Sequence, residues 1–357
     1  MAGRGGQDVV MSVEDAGTIE ETCPKHMVYG PCGGVRVDER CEVDDRRCPF
    51  VDRPVVPWSG PAPAPASTPF AAAVGRTDGS PIIVTDLRVR PFDPSSVAMV
   101  AARLARHADA VLVGEHHVRP DFPPTMMAEL FAEAGARAWV TLTCRDRNRV
   151  VLEGELAGLA NLGVTGVHCV TGDSRARSVR VDATQVFDLD GTRLAGLARQ
   201  VGLCASVSAT PVAPPTHLRA ARLLEKERAG GQVCFVNHAG GSAGVATFVG
   251  AARQLGVTMP FVPCVAVITD VESLVVLERF PGLVVDPDLR RRVLEAADGR
   301  AAGVAAAVDE AERMLAIDGV AGVNLSGSAT SGPEEESAAI MDEVAETLRE
   351  RVVAQPS

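Results

Sequence analysis

The amino-acid sequence predicts a (β/α)8 barrel preceded by a small cysteine-rich, metal-binding module. From residue 82 onward, an apolar run, a polar break and a helix-spaced segment recur eight times. Eight such repeats within about 245 residues are typical of a closed parallel barrel. A doubly wound sheet is the alternative, but no GxGxxG motif follows any of the predicted strands.

The predicted strands are short apolar runs rich in β-branched residues, as expected for parallel strands buried on both faces. They span residues 82–87, 110–115, 139–144, 166–171, 204–208, 232–237, 260–267 and 320–325. Residues 150–162 carry apolar side chains at helical spacing and are followed by Gly163, a typical helix C-cap. Glycines in the same position follow other predicted helices, at Gly135, Gly202, Gly230 and Gly256.

Four cysteines lie close together near the N-terminus, in a segment at residues 19–53 with few apolar residues. They are Cys23, Cys32, Cys41 and Cys48. So short a segment cannot fold on apolar burial alone, so the four thiols predict a metal site. Zinc is the first choice and an iron–sulfur cluster the alternative, because thiolates bind both. Four free thiols in a loop-rich arm are the remaining interpretation.

The other N-terminal segments have no such chemistry. Residues 1–18 are polar and glycine-rich, which predicts disorder. Residues 54–80 contain alternating proline and alanine and predict an extended linker that separates the cysteine module from the barrel at 81–350.

Composition narrows the classes of partner. A net charge of −11 and a pI near 5.2 argue against nucleic acid or an anionic membrane as partner. No apolar run reaches membrane-spanning length and no signal-peptide core is present, so we expect a cytoplasmic protein. Among 35 basic residues only Lys25 and Lys226 are lysines. Each retained lysine is therefore a candidate functional residue, with chance as the alternative.

Polar side chains follow the predicted strands, where a barrel carries its chemistry. They are Asp86, Glu115, His116, His117, Arg145, Asp146, Arg147, Asn148, Asp173, Asn237 and His238. The absence of a lysine among them disfavours a Schiff-base enzyme. Carboxylates and amides favour proton transfer and recognition of a hydrogen-bonding heterocycle.

Three motifs of the barrel resemble the methylenetetrahydrofolate reductases. They are Leu-Thr-Cys-Arg-Asp-Arg-Asn-Arg at 142–149, Thr-Gly-Asp at 171–173 and Val-Phe-Asp-Leu-Asp at 186–190. The likeness extends over about residues 81–348. The cysteine segment, with Cys-Pro-Lys at 23–25 and Gly-Pro-Cys-Gly-Gly at 30–34, looks like a module that accompanies one subgroup of these reductases, fused or as a separate subunit.

The resemblance implies reduction of 5,10-methylenetetrahydrofolate to 5-methyltetrahydrofolate in one-carbon metabolism and methionine biosynthesis. The ring that bridges N5 and N10 must open to an iminium, which requires a proton at the leaving nitrogen and then a hydride on the exocyclic carbon. A carboxylic acid kept protonated by burial suits the first task. The hydride comes from NAD(P)H, directly or through FAD or FMN.

The family's acid is a glutamate at the end of the first strand, so the resemblance places Asp86, one methylene shorter, in that role. Glu115 is the alternative acid. Asp173 matches the aspartate that holds the pterin, Asn237 stands where the family has a glutamine, and Thr143 is a further substrate contact. The implied cofactor contacts are Arg145, Asp146, Arg147, Asn148, Thr171, Gly172 and Lys226.

The flavin positions depart most from the family. Thr141 replaces a histidine, and Arg219 and Arg222 replace an acidic and an amide residue. Two other functions stay open: a folate-binding paralogue without turnover, favoured by the shorter Asp86, and a scaffold whose cysteine module docks an electron-transfer or methyltransferase partner. A homo-oligomer is a further expectation.

Overall fold

The computed structural model describes residues 22–63, 70–76, 78–115, 120–164, 166–174, 180–280 and 282–354. Eight parallel strands form a closed barrel in chain order, and the last strand pairs with the first. The strands are β1 (Ile82–Asp86), β2 (Ala110–Val113), β3 (Ala138–Thr143), β4 (Gly166–Val170), β5 (Ala205–Ala209), β6 (Val233–Val236), β7 (Phe261–Ile268) and β8 (Gly322–Ala329). The predicted fold class is therefore confirmed.

Each predicted strand overlaps an observed one, and the last shows the largest difference. The prediction ended at residue 325, whereas β8 continues to Ala329. The added residues, including Ser326 and Gly327, are poor strand formers, which is why the apolar pattern missed them. Pairing with β7 holds them in the sheet, with Ser326 opposite Ala266. This extension brings a serine to the mouth of the barrel.

Helices follow the strands and cover the outside of the barrel. They are α1 (Phe70–Ala73), α2 (Pro94–Leu104), α3 (Pro124–Glu133), α4 (Arg149–Leu162), α5 (Gly191–Gln200), α6 (Arg219–Ala229), α7 (Ser242–Gln254), α8 (Val271–Glu278), α9 (Pro287–Leu294), α10 (Gly299–Leu315) and α11 (Glu334–Ala354). Helix α4 ends as predicted, because Gly163 adopts φ 68° and closes the last turn. None of the helices in the described ranges has both the length and the apolar composition needed to cross a membrane.

Described residues of the predicted linker, within 54–63 and 70–76, pack on the barrel and on the cysteine module. Helix α1 places Phe70 edge-on to Trp139, with ring centroids 5.2 Å apart, among apolar side chains from the first residues of several strands. Trp58 packs against Tyr29 of the cysteine module, and its backbone N–H donates to Glu225 Oε2 at 2.5 Å. Trp58 of the predicted linker therefore contacts both the module and the barrel.

The cysteine module has an apolar cluster of its own, contrary to the expectation that it lacks one. Met27, Val35, Phe50 and Val51 are buried together with Cys23 and Cys48. Burial of apolar surface therefore contributes to the fold of this segment in addition to any bound metal.

Candidate functional site

The carboxyl ends of the strands open into a cavity of about 720 Å³. Its wall comes from two parts of the chain. The barrel contributes side chains from the ends of its strands, and the cysteine module contributes a wall from Lys25 to Gly34. Both lysines of the sequence, Lys25 and Lys226, line this cavity; Lys25 is buried and Lys226 is partly buried. Their position in the cavity wall is consistent with the prediction that each lysine is a functional residue.

Asp86, at the end of β1, lies in the cavity wall and is held by neutral hydrogen-bond donors. Its Oδ1 accepts from Asn324 Nδ2 at 2.9 Å, and its Oδ2 accepts from Ser326 Oγ at 2.9 Å and from the backbone N–H of Gly327 at 3.0 Å. Burial raises the pKa of Asp86, although these hydrogen bonds oppose the shift. Within the described residues no basic side chain forms a salt bridge with Asp86, and Arg88 instead donates to the carbonyl of Thr330.

The hydrogen-bond partners of Asp86 come from β8, and reasoning from the sequence missed them. Ser326 also lies 3.3 Å from Nε2 of His238, which follows β6. Burial lowers the pKa of His238 to about 4, so this imidazole is neutral near pH 7. An asparagine within a buried strand, at Asn324, was the signal that could have identified this cluster, because a buried amide needs a partner.

Glu115, the alternative acid, is bound to a cation. Its Oε1 accepts from Arg147 at 2.6 Å, and its Oε2 accepts from Thr143 Oγ1 at 2.9 Å. Both Glu115 and Thr143 line the cavity. Glu115 is therefore engaged by a cation, whereas the described partners of Asp86 are all neutral, and we prefer Asp86 as the proton donor. The neighbouring His116 and His117 lie outside the described residues.

The predicted cofactor contacts after β3 are distributed over several roles. Arg145 is buried in the cavity wall and forms a two-nitrogen ion pair with Asp146 Oδ2, both distances being 2.9 Å. Asn148 is the N-cap of α4, and its side chain accepts from the N–H of Val151 at 3.1 Å. Asp146 and Arg147 line a smaller neighbouring pocket of about 190 Å³. Of the residues at 145–148, only Arg145 lines the large cavity.

The loop after β4 carries Asp173 into the cavity wall. In the described part of the chain, no hydrogen bond or salt bridge to its carboxylate is found. Gly172 adopts φ +94°, and a Cβ there would lie 3.0 Å from Cβ of Arg145 and 3.2 Å from Cβ of Thr143. Glycine is therefore required for this loop to pass the end of β3. Thr171 anchors the loop, since its Oγ1 accepts from the N–H of Gly191 at 3.1 Å.

Asn237, after β6, also lines the cavity. Its Nδ2 lies 3.4 Å from Thr210 Oγ1, which is a long hydrogen bond. Most of the hydrogen-bonding capacity of this amide is therefore available to a ligand, as the prediction for Asn237 requires.

Lys226 reaches the cavity from α6 and donates to the carbonyl of Ser208 at 2.5 Å. Burial, with the positive charge of Arg222, lowers the pKa of Lys226 to about 7. The neighbouring His168 is buried against Phe235, and its pKa falls to about 3 because of burial and the charge of Lys226. Near pH 7, His168 is therefore neutral and Lys226 is only partly protonated, so this part of the wall carries less positive charge than two basic residues usually supply.

The cysteine module contacts the barrel through ionic and polar bonds. Lys25 forms an ion pair with Glu42 and donates to the carbonyl of Gly172 at 2.6 Å. Glu42 in turn accepts from the backbone N–H of Ser174 at 3.1 Å. Arg219 donates to the carbonyl of Cys32 at 2.8 Å. Neither Glu42 nor these contacts were predicted from the sequence, because the contacts between module and barrel join residues more than a hundred positions apart.

The four cysteines of the module influence one another. Burial, then negative charge at Cys32, raises the pKa of Cys23 to about 11, and burial with charge at the other three raises that of Cys48 to about 12. Across the described ranges, however, no three or more His, Cys, Asp or Glu side chains are grouped so as to hold a metal ion. The donors have the chemistry for zinc or an iron–sulfur cluster but do not form its coordination shell as they stand. The metal stays a prediction.

Two kinds of comparison place these features among known proteins. Residues 10–53 match the family described as "Methylene-tetrahydrofolate reductase C terminal". This match confirms the resemblance seen in the cysteine motifs. No curated protein sequence matches the chain.

Two solved structures have a similar chain path, and the first of them has a TM-score above 0.5. An uncharacterized protein from Clostridium thermocellum, which binds two copies of 5-methyl-5,6,7,8-tetrahydrofolic acid, is 12% identical with a TM-score of 0.52, over 77% of this chain and 96% of that one. A thiamine phosphate pyrophosphorylase from Pyrococcus furiosus is 14% identical with a TM-score of 0.38, over 76% and 98%. At such identities the first likeness shows the fold and no more.

Proposed function

We propose that this protein binds a reduced folate at the barrel mouth and reduces 5,10-methylenetetrahydrofolate to 5-methyltetrahydrofolate. One observation carries the proposal: a single cavity holds two carboxylates prepared for different tasks, beside a module that matches a methylenetetrahydrofolate reductase segment. Asp173 lines the cavity with no partner for its carboxylate among the described residues, and Asp86 has a raised pKa. The structural neighbour that binds 5-methyltetrahydrofolate supports the same ligand class.

Asp173 and Asn237 are proposed to hold the pterin. A carboxylate accepts two N–H bonds, which suits the aminopyrimidinone edge of a folate, and an amide both donates and accepts. Both residues line the cavity, and neither is saturated by neighbours in the described chain. Recognition by groups that would otherwise lack partners discriminates strongly against ligands without the matching hydrogen bonds.

Asp86 is proposed to protonate the leaving nitrogen of the methylene bridge. As the C–N bond breaks, the proton moves from Asp86 to that nitrogen, and the exocyclic carbon becomes an iminium that accepts hydride from NAD(P)H. The carboxylate left behind is stabilised by Asn324, Ser326 and the N–H of Gly327, which already point at its oxygens. Donors in place before the reaction need no reorganisation during it.

A flavin is not part of the proposal, because the residues at its family positions do not fit. Arg219 stands where flavin-binding members have an acidic residue, and it donates to the carbonyls of Cys32 and Ala213 at 2.8 Å. Arg222 is equally buried and lies beneath Gly30, where an added Cβ would be 2.8 Å from its Cδ. Two cations and the cysteine module occupy this side of the cavity, so we propose direct transfer from the nicotinamide.

Anaerobic oxidation of NADH or NADPH that depends on methylenetetrahydrofolate tests the proposal. We expect one equivalent of 5-methyltetrahydrofolate per reduced nucleotide consumed, and an absorption spectrum of the purified protein without flavin bands. A different result favours the second candidate, a folate-binding paralogue, which is motivated by the shorter side chain of Asp86. In that case 5-methyltetrahydrofolate binds but no nucleotide is oxidised.

A further inference from the structure

Two residues of the cysteine module hold the backbone on either side of Asp173. Lys25 Nζ donates to the carbonyl of Gly172 at 2.6 Å, and Glu42 Oε2 accepts from the N–H of Ser174 at 3.1 Å. The same two side chains form an ion pair with each other. The residue between the two contacts, Asp173, is the one proposed to bind the pterin. The module therefore fixes the peptide units that set the direction of this carboxylate.

The ion pair between Lys25 and Glu42 is buried, so its two side chains are held in one arrangement. The side chains of Lys25 and Glu42 are 2% and 9% exposed. Lys25 also lies over the ring of Phe187, 5.4 Å from its centroid. A buried pair contributes less to stability than its Coulomb energy suggests, because both charges lose their hydration. Removing one partner is costly, since it leaves the other charge buried and unpaired.

We propose that Lys25 and Glu42 are positioning residues of the substrate site, which act through Asp173. They link the order of the cysteine module to the affinity of the barrel for reduced folate. The proposal rests on the proposed function, because it presumes that Asp173 binds the pterin. It also gives Lys25, one of the two lysines in the chain, a role beyond solubility.

The test measures the dissociation constant of 5-methyltetrahydrofolate for the full-length protein and five variants. They are Lys25→Met, Glu42→Gln, the matched control Glu39→Gln, and the combination of Lys25→Met with Asp173→Asn, compared with Asp173→Asn alone. Glu39 lies in the same module but is 44% exposed and pairs with Arg47. We expect Lys25→Met and Glu42→Gln each to weaken binding about ten-fold, within the range for coupled neighbours, and Glu39→Gln to leave it unchanged.

The double variant distinguishes an effect of Lys25 that acts through Asp173 from a nonspecific loss of structure. If Lys25 acts through Asp173, Lys25→Met has little further effect once Asp173→Asn is present. An equal loss in both backgrounds would overturn the proposal, as would unchanged binding in the single variants. Glu42→Gln preserves shape and the acceptor for Ser174, so it still reports if Lys25→Met fails to fold. Failure of the wild-type protein to bind 5-methyltetrahydrofolate would instead reject the proposed function.

Discussion

The two sides of the cavity hold their carboxylates in opposite ways. On the proton side, formed by β1 and β8, Asp86 accepts hydrogen bonds from Asn324, Ser326 and Gly327, all of them neutral. On the binding side, formed by the loop after β4 and the cysteine module, no described residue bonds to the carboxylate of Asp173, while the backbone around it is fixed by the charged pair of Lys25 and Glu42.

This difference shows how one cavity can separate chemistry from recognition. Burial raises the pKa of Asp86 although its hydrogen bonds oppose the shift, and the described residues place no cation beside it, so it can retain a proton for transfer. Fixing the backbone and leaving the carboxylate free prepares Asp173 to bind a ligand. If the division is correct, changes on the proton side should alter the rate, and changes on the binding side should alter the affinity.

The largest expected effect is on the rate. We expect Asp86→Asn to slow single-turnover hydride transfer by about 10²–10⁴-fold, the usual contribution of a general acid, because an amide has no proton of suitable acidity. The dissociation constant of 5-methyltetrahydrofolate should stay close to that of the wild type. A loss of binding in this variant would remove the distinction between the two sides.

A smaller effect is expected on affinity. Asp173→Ala removes the charge-assisted hydrogen bonds to the pterin, which should weaken folate binding by about 1.5–3 kcal/mol. Because the carboxylate has no salt-bridge partner in the described residues, the thermal midpoint should change little. Equilibrium titration and a melting curve of the same preparation provide the measurement. An unchanged dissociation constant would exclude Asp173 from the site.

We expect the metal predicted for the cysteine module to affect folate binding at Asp173 and not proton transfer from Asp86. We expect one zinc ion or iron–sulfur cluster per chain, and we expect chelation to increase hydrogen exchange at residues 22–52 while the barrel strands remain protected. Folate binding should then weaken about ten-fold, as in Lys25→Met, because the same contacts are loosened. Protein without stoichiometric zinc or iron by elemental analysis would contradict this prediction.

The fold could be predicted from the sequence more fully than the separate roles of the two sides of the cavity. Eight buried strands leave a local apolar pattern, so the barrel and the position of Asp86 could be predicted. Asp86 and Glu115 differ in their partners: Ser326 donates to Asp86 and Arg147 donates to Glu115. These side chains come together only when the barrel is closed. Glu42 carried no local signal, since its partner Ser174 is 132 residues away.

The contacts made by residues of the predicted linker could not be predicted for a related reason. Alternating proline and alanine describe a local preference for extended backbone, and nothing in that preference reveals a surface on which the segment can pack. Phe70 and Trp58 are single aromatic residues in a polar, proline-rich segment. Their partners, Trp139 and Tyr29, lie elsewhere in the chain.

The rate of hydride transfer should depend on pH, whereas the affinity for folate should not show the same dependence. Because the pKa of Asp86 is raised, the proton needed for transfer is present below that value, and the rate should fall about ten-fold per pH unit above it. Ser326→Ala removes a hydrogen bond that favours the carboxylate form, so it should move the inflection to higher pH. A profile that does not respond to Ser326→Ala would show that another group titrates.

The smallest effect is expected for Glu115→Gln, and it decides between the two acids. Glu115 lines the same cavity as Asp86, just after the adjacent strand, but it is bound to Arg147 at 2.6 Å, and we expect this ion pair to keep it from serving as the proton donor. Glutamine keeps the shape and can still accept from Thr143, so the single-turnover rate should fall less than about five-fold. Arg147→Gln is the informative companion, because freeing Glu115 from its cation should not raise the rate if Asp86 is the acid. If Glu115→Gln abolishes hydride transfer and Asp86→Asn does not, the proton comes from β2, and the neutral cluster around Asp86 serves only to hold β1 and β8 together.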